Sequence, residues 1–353
     1  MNAFDVLVVG DGPAGCAAAI AAAKAGGNVG MLGRARSRAA PECVSGAALA
    51  LLDRLAPGLA RQPDTWLDGQ ADAQRGRAVI RSRLDDGLRA EALAAGVRYS
   101  RAPAGGMVSR VEHGTVVGIT HGDGDVGASV VIDATGVNRW LRRAMRLEVA
   151  TDSSPFWLRR GYARAHGARV GTYWHIARGG WLWLSATSTL QIWTSLSMLR
   201  DGDIAWPADT TPVGPVWREC RRWQCLCQAA GPGYIVCGDA AGYLDPATGD
   251  GLRFAIASGL RAGAMAVEVA RHPDRASVLT ALYCDWVTQS YERNRAVLAQ
   301  SYARAGLDIG WREPVRRSDC NSAVHAPRGQ PRGGLEDFGT TVVEYGYHGD
   351  EAG

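Results

Sequence analysis

The sequence has almost no lysine. Lys24 is the single lysine among 39 basic residues, and every other one is arginine. A GC-rich genome suffices to produce that bias, but it leaves any chemistry that needs a lysine amine with one residue to draw on. Long apolar runs are missing as well. No stretch approaches the roughly 18 uninterrupted apolar residues of a membrane-spanning helix. Charge of one sign is nowhere concentrated: the formal net charge of +4 is scattered, so neither a nucleic-acid footprint nor a membrane patch is indicated. The eight cysteines include no C-x-x-C pair, and Cys220, Cys225 and Cys227 match no common zinc spacing. No metal site is expected, and apolar packing is the default for these thiols. There is no internal repeat and no low-complexity block. The chain opens directly on an apolar strand, which leaves no room for a signal peptide. The expectation is a cytoplasmic protein with reduced cysteines.

What is present is a nucleotide-binding fingerprint in its proper context. Residues 4–10 (FDVLVVG) read as a short apolar strand. They run into Gly10-Asp11-Gly12-Pro13-Ala14-Gly15 and then an alanine-rich helix to about Ala25. Strand, glycine turn and helix are the order the chemistry needs. Gly10 permits the tight turn, Gly12 lets the backbone approach a pyrophosphate, and Gly15 lets helix and strand pack closely. Pro13 and Ala14 start a helix whose free N–H groups and positive dipole end suit phosphates. Far downstream stands Gly238-Asp239-Ala240-Ala241-Gly242-Tyr243-Leu244-Asp245-Pro246-Ala247-Thr248-Gly249-Asp250-Gly251. The two segments together point to FAD rather than NAD.

At 353 residues, with 46% hydrophobic and 21% charged content, two or three domains or one domain with a large insertion are expected. Residues 28–34 read as a second parallel strand, 42–60 as holding a small helix, and 61–75 as a polar connection. Residues 81–95 read as a periodic helix with Leu84, Leu88 and Leu93 on its apolar face, ended by Gly96. Strands are predicted near 97–101, 107–112, 115–120 and 130–136. From 151 to 227 helical periodicity disappears and aromatic and β-branched residues alternate with small ones, which is the pattern of an antiparallel sheet. Residues 234–238 return to the parallel sheet. Helices follow from about Asp250 to Arg271 and over 274–305, and a short strand is possible at Thr340–Tyr345.

Three motifs stand in order: GDGPAG at 10–15, VIDATG at 131–136 and GDAAGYLDPATGDG at 238–251. Together they resemble the FAD-dependent monooxygenase superfamily of aromatic hydroxylases and flavin-dependent halogenases. The stretch RSRLDDGLRAEALAAGV at 81–97 also looks like that family's R-x-x-F-D helix, with Leu84 in the phenylalanine place. The resemblance implies an α/β fold: a Rossmann-like FAD-binding domain with an inserted antiparallel-sheet substrate domain and C-terminal helices. The FAD-binding domain is expected to be built from 1–40, 76–150 and 228–272, and the substrate domain from 41–75 and 151–227. A helical segment at 273–312 and a loose tail at 313–353 complete the plan. Asp239, at a strand end, can accept from a ribityl hydroxyl; it can equally cap a turn. Pro246, Gly249 and Gly251 let a turn lie flat against a flavin ring, and the following helix would aim its N-terminus at the ring. Gly238 and Gly136 bring the chain close to the cofactor. Arg81 resembles the family arginine near the cofactor, with a salt bridge to Asp85 as the other reading. The family places an acidic residue at the end of strand two for the adenosine ribose. Here that place is Gly33, followed by Arg34, which can lie along the adenine or pyrophosphate.

The halogenase branch fits poorly. Its pocket lysine has no counterpart, since Lys24 lies late in the first helix. Its W-x-W-x-I-P signature is half present, Trp181-Leu182-Trp183 running into Leu184-Ser185-Ala186. The segment GGWLWLSA is more similar to relatives that modify tryptophan side chains during quinone-cofactor maturation. The expected activity is hydroxylation of an electron-rich aromatic or heteroaromatic substrate, which in the family runs through a flavin C4a-hydroperoxide. Electrons would come from NAD(P)H or from reduced flavin supplied by a partner flavin reductase, and O2 is the oxidant. The substrate is a small aromatic molecule or a tethered or peptidyl aromatic side chain. Trp174, Trp181, Trp183 and Trp193 are candidates for the substrate wall, with simple packing between the sheet and the FAD domain as the alternative. His175 is the acid–base candidate, with a structural or surface role as the alternative. Pro246 is placed at the reacting face. The rival activities are a flavin-dependent reductase or dehydrogenase and a catalytically degenerate flavoprotein scaffold.

Overall fold

The computed structural model describes residues 4–34, 41–59, 77–102, 106–122, 124–165, 171–186, 191–202, 206–207 and 209–310. The polar connection expected at 61–75 and the tail from 313, with its short strand at Thr340–Tyr345, lie outside the described residues. In chain order the elements are β1 (Phe4–Val9), α1 (Pro13–Lys24), β2 (Val29–Gly33), β3 (Pro41–Val44), α2 (Gly46–Leu55), β4 (Arg77–Ile80), α3 (Arg81–Ala94) and β5 (Arg98–Arg101). Next come β6 (Met107–Glu112), β7 (Thr115–His121), β8 (Gly124–Asp133), α4 (Trp140–Ala144), β9 (Val149–Thr151), β10 (Phe156–Ala165), β11 (Gly171–Ala177), β12 (Gly180–Ala186) and β13 (Gln191–Ser197). The chain continues through β14 (Thr210–Arg221), β15 (Gln224–Leu226), β16 (Ala230–Gly231), β17 (Tyr234–Val236), β18 (Gly242–Tyr243), α5 (Gly251–Arg271) and α6 (Ala276–Ala305).

The core is a twisted parallel sheet in the order β17-β8-β1-β2-β5. Val6 to Val9 of β1 are at most 1% exposed, because helices cover both faces, and such a strand reads as a continuous apolar run rather than an alternating one. The β6–β7 hairpin attaches antiparallel to the first residues of β8. α1 and α5 lie in close contact. Glycines make that approach possible: a Cβ at Gly259 would stand 2.2 Å from the Ala14 carbonyl oxygen, and one at Gly263 would stand 2.0 Å from that of Ala18. α3 packs through Leu84, Leu88 and Ala92. Leu93, expected on the same face, is 50% exposed. It follows Ala92 by one residue, about 100° around the helix, and so leaves the buried stripe.

The insertion is a five-stranded antiparallel sheet in the order β11-β12-β13-β10-β14. A three-stranded sheet, β18-β15-β9, joins it to the parallel core. No helix among the described residues is long and apolar enough to cross a membrane, and no described group of three His, Cys, Asp or Glu side chains is placed to hold a metal. The α/β architecture, with its inserted antiparallel sheet and following helices, is the one the motifs imply.

Candidate functional site

The first half of the site forms where β1 turns into α1. Gly10 adopts φ +115, a conformation open to glycine, and a Cβ there would meet the Ala134 carbonyl oxygen at 2.3 Å. Gly15 sits under the same turn, where a Cβ would lie 1.9 Å from the Gly10 carbonyl oxygen. Gly12 differs from both. It caps α1 with ordinary extended angles, φ −81 and ψ −174, and a Cβ there would meet nothing within 4 Å. Its Cα therefore faces open space at the uncapped end of a helix, with Pro13 occupying the first turn. This is a cradle that a side chain would fill and a phosphate fits.

Two loops close over the cradle from β8 and β17. Asp133, fully buried at the end of β8, accepts from the backbone N–H groups of Thr135 (2.9 Å) and Leu141 (2.8 Å) and so fixes the 134–141 loop. Gly136 in that loop has φ +57 and open space beyond it. Gly238, after β17, has φ +61, donates its N–H to the Ser258 hydroxyl of α5 at 2.9 Å, and would place a Cβ 2.8 Å from that of Ala14. Asp239 follows. Burial raises its carboxyl above the usual range, as does Glu42, while Arg81, Arg221 and Arg160 oppose the rise. Among the described residues it has no hydrogen-bond donor. Arg139, Arg142 and Arg221 gather nearby; burial and these like charges pull Arg139 down to about 10.

The third part is the turn at 245–251. Asp245 caps it, accepting from the Ala247 N–H at 3.0 Å. Gly249 takes a left-handed conformation (φ +67, ψ 9) beside Ser45, the N-cap of α2. Gly251 opens α5, whose first N–H groups have no side-chain cap. Asp245 is only 2% exposed. It also accepts from the Trp223 indole N–H and from the Tyr302 hydroxyl, each at 2.7 Å, and Tyr302 in turn accepts from the Trp181 indole at 2.7 Å. Burial lifts the Asp245 carboxyl to about 6, against the opposing hydrogen bonds from Tyr302, Ala247 and Trp223. Three separate segments, β12, α6 and the loop after β14, thus converge on one carboxylate.

The sheet's two faces do different things. Trp174, Trp181 and Trp183 share the face that packs with Leu158, Leu196, Tyr302 and Ala247, toward the turn. Trp174 stacks on Trp181 with ring centroids 4.9 Å apart, and its indole nitrogen is buried without a partner among the described residues. Arg160 keeps its charge there: burial opposes it, but Glu42, Tyr243 and Glu219 outweigh burial and raise its pKa. Trp193 and His175 lie on the other face. Trp193 packs with Ala163, Leu182, Leu184 and Trp206, and its indole N–H donates to the Tyr162 carbonyl. His175 stacks on the exposed Tyr173 and lines a cavity of about 270 Å³ together with Arg159, Leu182, Ser195 and Leu199. Of the four tryptophans named as a candidate wall, Trp193 thus lies across the sheet from Trp174, Trp181 and Trp183, as does the acid–base candidate His175. Neighbouring residues of a strand point to opposite faces, so His175 cannot share the face of Trp174.

Arg81 is engaged by acids. Its guanidinium meets Glu42 at 2.6 Å and Asp85 at 3.0 Å, and these partners raise its pKa despite burial. Of the two sequence readings, the Asp85 salt bridge is present, extended by Glu42. Arg34 is exposed at the end of β2. Sequence reasoning missed Trp223, Tyr302, Ser258 and the Gly259/Gly263 pair. Only the last carried a signal, the G-x-x-x-G spacing inside α5.

Taken together, the open cradle at Gly12, the donor-free Asp239 carboxylate, the open loop at Gly136 and the uncapped start of α5 fit a dinucleotide whose second half reaches the 245–251 turn. The lycopene cyclase protein family model matches residues 5–170. Digeranylgeranylglycerophospholipid reductase 1 of Methanopyrus kandleri is 27% identical over 333 residues, covering 80% of this chain and 85% of that protein. Among solved structures, the flavin-dependent halogenase CmlS superposes with TM-score 0.69 at 20% identity, over 86% of this chain and 65% of the other. The peptidyl tryptophan dihydroxylase QhpG, essential for tryptophylquinone cofactor biogenesis, superposes with TM-score 0.65 at 22% identity, over 86% and 74%. The chain shares the fold of these flavin-dependent structures, a Rossmann-like α/β domain carrying an inserted antiparallel sheet.

Proposed function

We propose that this chain is an FAD-dependent monooxygenase that hydroxylates an electron-rich aromatic substrate, free or carried on a peptide. The observation that supports it best is the placement of Trp174, Trp181 and Trp183 on the sheet face that packs toward the 245–251 turn. An aromatic wall there suits a planar ring, and the tryptophan-modifying neighbour QhpG shares the fold. FAD, when bound, would supply the redox chemistry, with NAD(P)H or a partner flavin reductase as the electron source and O2 as the oxidant. The chain's residues do the rest. The 10–15 turn and the start of α1 hold the phosphates. Asp239 accepts a ribityl hydroxyl. The N-terminus of α5 favours negative charge at its mouth. The tryptophans orient the ring and exclude water. Asp245 and Tyr302 keep the turn in place. His175 has no part in this scheme, because it lies on the far face of the sheet.

Halogenation is disfavoured by Lys24, which is exposed in the last turn of α1, about 18 Å along the helix from the cradle. A second reading, reduction of a prenyl double bond, is favoured by the M. kandleri relative, whose name describes such a reductase. Labelled O2 separates them. With reduced flavin and a panel of phenols and tryptophan-containing peptides, one oxygen atom from O2 is expected in the product, with no dependence on chloride or bromide. Undiminished anaerobic turnover of a prenylated substrate overturns the monooxygenase reading, and a halide-dependent product overturns the argument from Lys24.

A further inference from the structure

The end of β2 lacks the acidic residue that dinucleotide-binding folds use to hold the adenosine ribose. Gly33 stands there, and the structure shows what occupies its place. A Cβ built on Gly33 would lie 2.3 Å from Cγ of Asp11, 2.3 Å from its Oδ2 and 2.5 Å from its Cβ. The two positions share one volume: with Asp11 in this rotamer, only glycine fits at 33. Asp11 is the residue between the first two glycines of the fingerprint, so its carboxylate stands at the mouth of the cradle, over the end of β2.

The carboxylate is held in a fixed orientation. Its Oδ2 accepts from the Tyr99 hydroxyl of β5 at 3.0 Å and from Arg89 Nε of α3 at 3.2 Å, and its Oδ1 lies 3.3 Å from the Arg34 backbone N–H. Arg89 is itself anchored on Asp86 at 2.9 Å. The Asp11 side chain remains 15% exposed, so the carboxylate edge is not sealed. We propose that Asp11 takes over the task of the missing β2 acid and accepts hydrogen bonds from the adenosine ribose hydroxyls. The proposal rests on the FAD reading above. It also gives the site a preference, because a fixed negative charge at the ribose repels a 2′-phosphate.

The test is ligand binding, with no turnover required. Apo protein is titrated with FAD and with FMN by flavin fluorescence, and ADP and 2′-deoxy-ADP are compared as competitors. Wild-type protein is expected to bind ADP at least about fivefold more tightly than 2′-deoxy-ADP. Asp11→Asn keeps the shape and removes the charge. It is expected to weaken FAD by about tenfold, as loss of a charge-assisted hydrogen bond does, to leave FMN unchanged, and to bring the two ADP analogues to equal affinity. The exchange Asp11→Gly with Gly33→Glu frees the shared volume and is expected to restore the ADP preference. If Asp11→Asn weakens FAD and FMN by the same factor, or keeps the ADP preference, Asp11 is only a spacer between β2, α3 and β5 and the proposal fails. Should the variant not fold, wild-type protein decides alone, since equal affinity for ADP and 2′-deoxy-ADP overturns the proposal. Wild-type protein that takes up no FAD overturns the cofactor reading instead.

Discussion

The buried carboxyl of Asp245 makes the stability of this protein depend on pH in a direction opposite to that of an ordinary paired aspartate. Its folded-state pKa is about 6, raised from 3.8 by burial. The folded chain therefore holds this proton more tightly than the unfolded chain. The group costs nothing below the unfolded value, where both states are protonated. Its penalty grows as pH rises from about 4 to about 6 and is constant above that. Between pH 4.5 and 7.5 the penalty grows by about 2 kcal/mol. For a folded region of this size that is about 3 °C in Tm. Asp245→Asn removes the titration, so the measurable quantity is the difference in unfolding free energy between wild type and variant, taken by urea denaturation at several pH values. Wild type is expected to lose ground to the variant as pH rises through that window. A difference that stays flat, or that moves in favour of wild type, would show that the Trp223, Tyr302 and Ala247 donors outweigh burial and that the carboxylate is ionised throughout.

Further outcomes follow from single positions. Gly12→Leu should abolish FAD uptake while leaving the Tm of the apo protein unchanged, because a Cβ at Gly12 meets nothing; Gly10→Leu should instead lower the Tm through its collision with the Ala134 carbonyl. Gly249→Val should leave the far-ultraviolet dichroism intact, cost roughly 1–3 kcal/mol for a branched residue at positive φ, and sharply reduce flavin occupancy or reaction with O2; full binding and turnover would make this turn an ordinary helix entry. Tyr302→Phe should destabilise by roughly 1–3 kcal/mol, since it strands the Trp181 indole N–H, and should move the Asp245 transition to higher pH by removing a hydrogen bond that favours the carboxylate.

Much of the fold was legible because local chemistry and global plan agree. The β1 turn into α1 is written in one motif, and the change of period at 151 announces the inserted sheet. The pairing order of that sheet was not legible, since antiparallel register is set by contacts between strands far apart in sequence. Parity within a strand was legible. Trp174 and His175 are adjacent, so a wall containing one excludes the other. Trp193 could not be assigned in the same way, because its face depends on the register of β13 against β12. Asp11 and Gly33 show the opposite limit. Each is informative alone, one as an odd residue in a glycine turn and the other as a missing acid, but only packing of β2 against that turn reveals that they are two halves of one substitution.

The network around Asp245 explains why the site and the insertion belong to one folding problem. The 245–251 turn has little to hold it locally: a short helical turn, a glycine at positive φ and an uncapped helix start. What fixes it is the Asp245 carboxylate, and its donors come from β12 by way of Tyr302, from α6 directly, and from Trp223 at the start of the strand that leads back to the parallel sheet. These are buried bonds in a low-dielectric surrounding, where a missing partner is costly. The sheet therefore cannot shift on the nucleotide domain without disturbing the turn. The same contacts that bring Trp174, Trp181 and Trp183 toward the turn also set the backbone on which a flavin ring would rest, so the proposed substrate wall and the proposed cofactor platform share one set of hydrogen bonds.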